Sequence, residues 1–236
     1  MLRTAALELA LWISVYGLYL LVRGISIADA DEALANARGL IEAERSLGLF
    51  HEERLQDALA PLHQVLSAYY MLGFAPLLVG VLVWLLLRHP DAYRELRTVL
   101  LLSLVFASMA YVMLPTAPPR LVPGLGIADT VGLSVRGEEG SFSGIRFNPY
   151  AAMPSMHVGW SVLIGLFAFR MAPARSVRIF FAAHPAVMAI AVTATGNHFF
   201  LDSLVGAGLA LATLGLWRVR HIPRRPRLPC PQPCPG

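Results

Sequence analysis

The chain has 236 residues, 56% of them hydrophobic and only 14% charged, where a soluble domain carries about 25% charged residues. With a mean hydropathy of +0.60, this balance excludes an ordinary soluble enzyme and predicts an all-α polytopic membrane protein. The net charge is +4 and all nineteen basic residues are Arg, gathered where apolar runs end; that placement reads as topology control rather than a nucleic-acid surface.

Apolar runs fall at about 5–22, 64–87, 98–115, 156–173, 179–196 and 200–217, each close to the roughly 17–25 residues of a membrane-crossing helix. Six transmembrane helices are therefore predicted, forming one domain over residues 1–220. The first run begins like a signal peptide, but Glu8 interrupts it and no small-residue cleavage site follows, so it reads as an uncleaved span. Residues 25–62 are acidic and helix-forming. Leu40, Leu47, Phe50, Leu55 and Leu59 alternate there with Glu42, Glu44, Glu52, Glu53 and Asp57, which predicts an amphipathic helix, or a broken pair, on the rim of the bundle at the outer interface.

The loop over 121–148 is rich in Gly, Ser and charge and is expected to form an irregular cap or substrate entrance. In the fifth run His184 lies beside Pro185 and reads as a buried, hydrogen-bonded bundle residue. The Arg/Pro-rich tail over 221–236 carries Cys230 and Cys234 with no His or Asp spaced as metal partners. No metal or cofactor is expected.

Charge orients the spans. Arg88, Arg94 and Arg97 flank the second turn, Arg170, Arg175 and Arg178 the fourth, and Arg218 and Arg220 open the tail. The positive-inside rule then puts both termini in the cytoplasm and the 25–62 segment, the 116–154 segment and the turn at Asn197 on the other face.

Two polar islands stand out at the starts of apolar runs: Pro154-Ser155-Met156-His157, and Asn197-His198-Phe199-Phe200-Leu201-Asp202. Ionisable groups in such places mark functional sites. The chain enters the membrane after His157, turns near 172–178 and returns to His198, so both histidines reach the outer face. Asp202 follows His198 by four residues, one helical turn, and can orient its imidazole. A second histidine across the cleft is then a candidate proton donor. Both islands sit at helix N-termini, where free N–H groups favour an anion, and Ser155, Asn197 and Arg120, with Arg146 as a further candidate, fit a phosphate.

At these residues the chain resembles the type 2 phosphatidic acid phosphatase (PAP2) superfamily, in the branch related to inositol phosphorylceramide synthases. The resemblance rests on residues 148–161, on Thr195-Gly196-Asn197-His198-Phe199-Phe200-Leu201-Asp202, on Pro118-Pro119-Arg120 and on Leu47-Gly48-Leu49-Phe50. It implies that His198 is a nucleophile forming a phosphohistidine, that Asp202 orients it, that His157 protonates the departing oxygen and that Ser155 binds phosphate. Two positions depart from the phosphatase pattern: Met113 replaces a Lys and Val192 an Arg, which fits the synthase-related branch better.

The expected function is hydrolysis of a lipid phosphate monoester or diphosphate at the extracytoplasmic face of the cell membrane. The alternatives are transfer of a phosphoryl-linked headgroup between lipids and non-catalytic lipid or anion transport. The partners are the bilayer and a phosphorylated lipid; oligomeric state stays open.

Overall fold

The computed structural model describes residues 2–25, 29–132, 141–142, 145–146 and 148–221. The tail with Cys230 and Cys234, and residues 133–140, 143–144 and 147 of the expected cap, lie outside the described residues. Nine α-helices are described: α1 (Leu2–Ile25), α2 (Ala30–Ser46), α3 (Glu52–Ala58), α4 (His63–Ala68), α5 (Phe74–Arg88), α6 (Pro90–Met113), α7 (Met156–Met171), α8 (Arg175–Ala194) and α9 (Phe200–Arg220). A π-helical turn, Tyr69–Gly73, joins α4 to α5, and two-residue strands at Ser141–Phe142 and Ile145–Arg146 pair in the loop before α7.

All six apolar runs are helical. Four helices are long and apolar enough to cross a membrane: Ala60–Arg88, Pro90–Met113, Arg175–Ala194 and Phe200–Arg220. Two more are apolar but shorter, Ala6–Leu21 and Met156–Met171. The sixteen residues of α7 reach about 24 Å at 1.5 Å per residue, short of a roughly 30 Å hydrocarbon core.

The bundle core lies among α5, α6, α7, α8 and α9, around Leu85, Leu96, Leu100, Leu163, Ile164 and Leu214. Two glycines of α7 set close crossings within it. At Gly165 an added Cβ would stand 2.7 Å from the Phe181 carbonyl oxygen, the acceptor that Pro185, four residues on, cannot satisfy with an N–H. At Gly159 it would stand 2.6 Å from the Gly206 oxygen, so α7 and α9 meet backbone to backbone. Polar pairs tie the opposite end. Arg218 Nε reaches Glu95 Oε1 at 2.6 Å, and Glu8 accepts from Arg97 and, at 2.8 Å, from Tyr93, which accounts for a carboxylate inside the first apolar run.

The 25–62 segment is a broken pair, α2 and α3, and its polarity differs from expectation. The buried stripe of α2 is Ala33, Ala37, Ile41 and Glu44, whereas Leu47 is exposed. The helix stops in a Schellman turn: Gly48 adopts φ +68, its N–H bonds Arg45 O at 3.1 Å, and Leu49 N–H bonds Glu44 O at 2.8 Å. After this reversal α3 packs against α8, and both Glu44 and Glu52 are buried.

Candidate active site

Ser155 caps α7, placing His157 in its first turn, and the turn 195–199 places His198 two residues ahead of α9. The two imidazole centroids are 6.2 Å apart. Tyr70 and Phe74 pack on His157 with centroids at 4.6 and 4.9 Å. The π turn widens the helix by one residue, and the consecutive Tyr69 and Tyr70 reach different histidines, His184 by a hydrogen bond and His157 by ring contact. His184 is thus the buried, bonded bundle residue expected from its setting.

Asp202 lies behind His198, fully buried. Its Oδ2 stands 3.5 Å from His198 Nδ1, within ion-pair range but beyond a hydrogen bond, and accepts Phe199 N–H at 2.9 Å. His198 Nδ1 and Asp202 Oδ1 have no hydrogen-bond partner, so a small rotation of the ring completes an Nδ1–H···Oδ2 bond. The His198 ring also lines a cavity.

Arg120 follows α6 on a 3₁₀ turn, Pro119–Leu121. Its N–H donates to Gly196 O at 3.1 Å, its Nη1 to Asn197 Oδ1 at 2.5 Å, and its Nε lies 3.7 Å from Asp129 Oδ2. Gly196 makes this approach possible: its φ is +72, and a Cβ there would meet Ala128 O at 3.0 Å and Arg120 Cβ at 3.2 Å. Asn197 is locked by Nδ2 donating to Thr195 Oγ1 at 2.8 Å. Behind this turn Gln56 clips α3 to the rest, accepting Ala128 N–H at 2.7 Å and donating to Ala128 O and Ala194 O at 3.0 Å.

Arg120, His157, Asn197 and His198 line one cavity of about 130 Å³, walled also by Tyr19, Tyr70 and Tyr111. The volume is below the roughly 300–1,000 Å³ of sites that engulf a drug-sized ligand, and suits a polar headgroup. Tyr19 also lines an apolar groove of about 390 Å³ between α1 and α6, with Val15, Leu18, Val105, Met109 and Val112. Among the described residues no three or more His, Cys, Asp or Glu side chains converge as metal ligands.

Ser155 is fully buried and its Oγ has no hydrogen-bond partner; α9 lies close against it, with Ser155 N–H donating to Asp202 O at 2.9 Å. One expectation needs correction: the N-terminus of α9 is not open to an anion. Its first amides are occupied by carboxylates, Phe200 N–H by Glu52 Oε1 at 3.0 Å and Leu201 N–H by Glu44 Oε1 at 2.6 Å. The side chain of Arg146 lies outside the described residues. The site roles of the three tyrosines and the two glutamates escaped the sequence reading: the tyrosines lie within apolar runs and the glutamates in the acidic 25–62 segment.

The fold and site together define a helical membrane-type protein with a histidine-based polar site at one end of its bundle. The model of the PAP2 superfamily matches residues 38–216, and the chain belongs to that superfamily. Membership points to phosphatase-type chemistry on a lipid-type substrate. No curated protein and no solved structure matches the chain.

Proposed function

We propose that this protein is an integral-membrane lipid phosphatase, of the inositol phosphorylceramide synthase-related branch, that hydrolyses a phosphate monoester or diphosphate through a phosphohistidine on His198. The observation that carries the reading is convergence: from 41 residues apart in the chain, His157 and His198 come to 6.2 Å around one small cavity, with Asp202 behind only one of them.

That asymmetry assigns the roles. Asp202 takes the Nδ1 proton side of His198 and leaves Nε2 neutral and nucleophilic. Nε2 attacks phosphorus, the P–O bond to the lipid breaks, and His157, protonated, gives its proton to the departing oxygen. Water then attacks the phosphohistidine, His157 takes its proton, the P–N bond breaks and inorganic phosphate leaves. Arg120 and Asn197 hold the phosphoryl oxygens, Arg120 with its remaining N–H groups. In this reading the tail lies in the apolar groove that shares Tyr19 with the cavity.

The branch fits the two departures. Val192 is fully buried against Val158 and Met188, a place with no room for an arginine head. In the proposed topology six helices span, both termini are cytoplasmic, and the site faces the other side; the arginines at the ends of α5, α7 and α9 lie at the end of the bundle away from it.

A panel of phosphorylated lipids, assayed for inorganic phosphate and for transferred headgroup with wild type, H198A and H157A, tests the proposal. Phosphate release that falls about 10³-fold or more in both variants is expected. Headgroup appearing on a second lipid instead of phosphate would reassign the enzyme to transfer, and full turnover by H198A would remove the nucleophile.

A further inference from the structure

Three carboxylates close the start of α9, and only Asp202 belongs to the chemistry above. They take consecutive amides: Asp202 that of Phe199, Glu52 that of Phe200 and Glu44 that of Leu201. One acceptor is the ordinary complement of a helix N-cap. Here two more come from α3 and α2, 148 and 157 residues upstream, and both are buried to within 1%. Removing a carboxylate from water costs several kcal/mol after relaxation, so two beside a third need a compensating arrangement.

The arrangement is visible in their second oxygens. Glu44 Oε2 and Glu52 Oε2 are both buried with no hydrogen-bond partner, while their Oε1 atoms accept from the adjacent amides of Leu201 and Phe200. Two neighbouring acceptors in a dry site are satisfied by one proton between them. Burial first, then the neighbouring Glu52 and Asp202, push Glu44 up to about 8, in keeping with a proton held within the pair.

We propose that Glu44 and Glu52 are positioning residues, a proton-sharing carboxyl pair that fixes the first turn of α9 and thereby the orientation of Asp202 toward His198. The inference rests on the reading of His198 and Asp202 as the reacting pair. Residues 199–201 are the only chain between them, so their amides set the 3.5 Å vector from His198 Nδ1 to Asp202 Oδ2. The pair also explains why α9 offers its dipole to fixed protein carboxylates, leaving the phosphate to Arg120.

The test uses the full chain in lipid nanodiscs, with E44Q, E52Q, E44Q/E52Q and E44A. A single Gln still accepts from the backbone amide and donates to its partner. Either single Gln variant is therefore expected to keep kcat within about threefold of wild type and to keep slow hydrogen exchange at amides 199–201. The double variant sets two NH₂ groups against each other, and E44A removes an acceptor. Both are expected to raise exchange locally at 199–201, to lower kcat by about tenfold or more with little change in KM, and to move the acid limb of the kcat/KM profile, which reports the imidazole that must be neutral.

Unchanged exchange and kcat in E44A and the double variant would overturn the positioning role, as would exchange raised throughout the bundle with kcat lost only in proportion to folded protein. Single Gln variants as impaired as E44A would overturn the shared proton. Should wild type turn over no phosphorylated lipid, the function proposed above fails while the exchange measurement still decides on the carboxyl pair.

Discussion

Gly206→Ala puts the architecture of the site under the most direct strain. A Cβ at position 206 would lie 2.0 Å from the Ser155 carbonyl oxygen, 2.8 Å from its carbon and 3.0 Å from its nitrogen. All three are backbone atoms at the start of α7, so no side chain can rotate away. Ordinary contact begins near 3.4 Å, and α9 must retreat from α7 by at least about 1 Å. That retreat opens the 2.9 Å bond from Ser155 N–H to Asp202 O and carries Asp202 away from the cavity wall that holds His157. A misplacement of about 1 Å at a reacting centre costs on the order of 10²-fold in rate, about 2.7 kcal/mol, and overpacking costs about 1–3 kcal/mol of stability. The assay is phosphate release from a lipid phosphate, with thermal unfolding followed in parallel. Gly208→Ala, where an added Cβ meets nothing within 4 Å, is the control and is expected to stay near wild type. A G206A protein with wild-type kcat and unfolding temperature would refute the close crossing of α7 and α9 as the device that sets the site.

Glu44 makes stability depend on pH with a definite sign. Its pKa rises from 4.5 to about 8 in the fold, chiefly by burial, so the stabilisation it contributes is full below pH 4.5 and lost as pH climbs through 8; thermal unfolding of wild type is expected to fall across that window, and E44Q to flatten that component. Arg120→Ala is expected to lower kcat/KM by about 10²-fold, and Arg120→Lys to recover only part of it, because an ammonium cannot hold Asn197 and a phosphoryl oxygen with one planar fork; equal activity of the Ala variant would remove Arg120 from the site. Filling the groove between α1 and α6 with Met109→Trp is expected to raise KM for long-chain lipid phosphates and leave a water-soluble short-chain phosphate ester unaffected; equal effects on both would move the tail elsewhere.

The parts of this account that the sequence carried are those with a local signature. Apolar runs gave the helices, and the islands at His157 and His198 led to one cavity. Glu44 and Glu52 were different. Beside Glu42 and Glu53 they look like the wet face of an amphipathic segment, and what buries them is a pair of amides at Phe200 and Leu201, about 150 residues away. No local pattern encodes that partner. Tyr19, Tyr70 and Tyr111 wall the cavity, yet in an apolar run a tyrosine reads equally as an interfacial anchor.

The central claim is that phosphorus passes through His198. The most direct measurement is rapid acid-free quenching of the reconstituted enzyme during turnover of a lipid labelled in its phosphate, followed by mapping of label along the chain. Acid-labile, alkali-stable label confined to the peptide containing His198 and absent in H198A is the expected result. Undiminished phosphate release with no label on His198 at any quench time would contradict it.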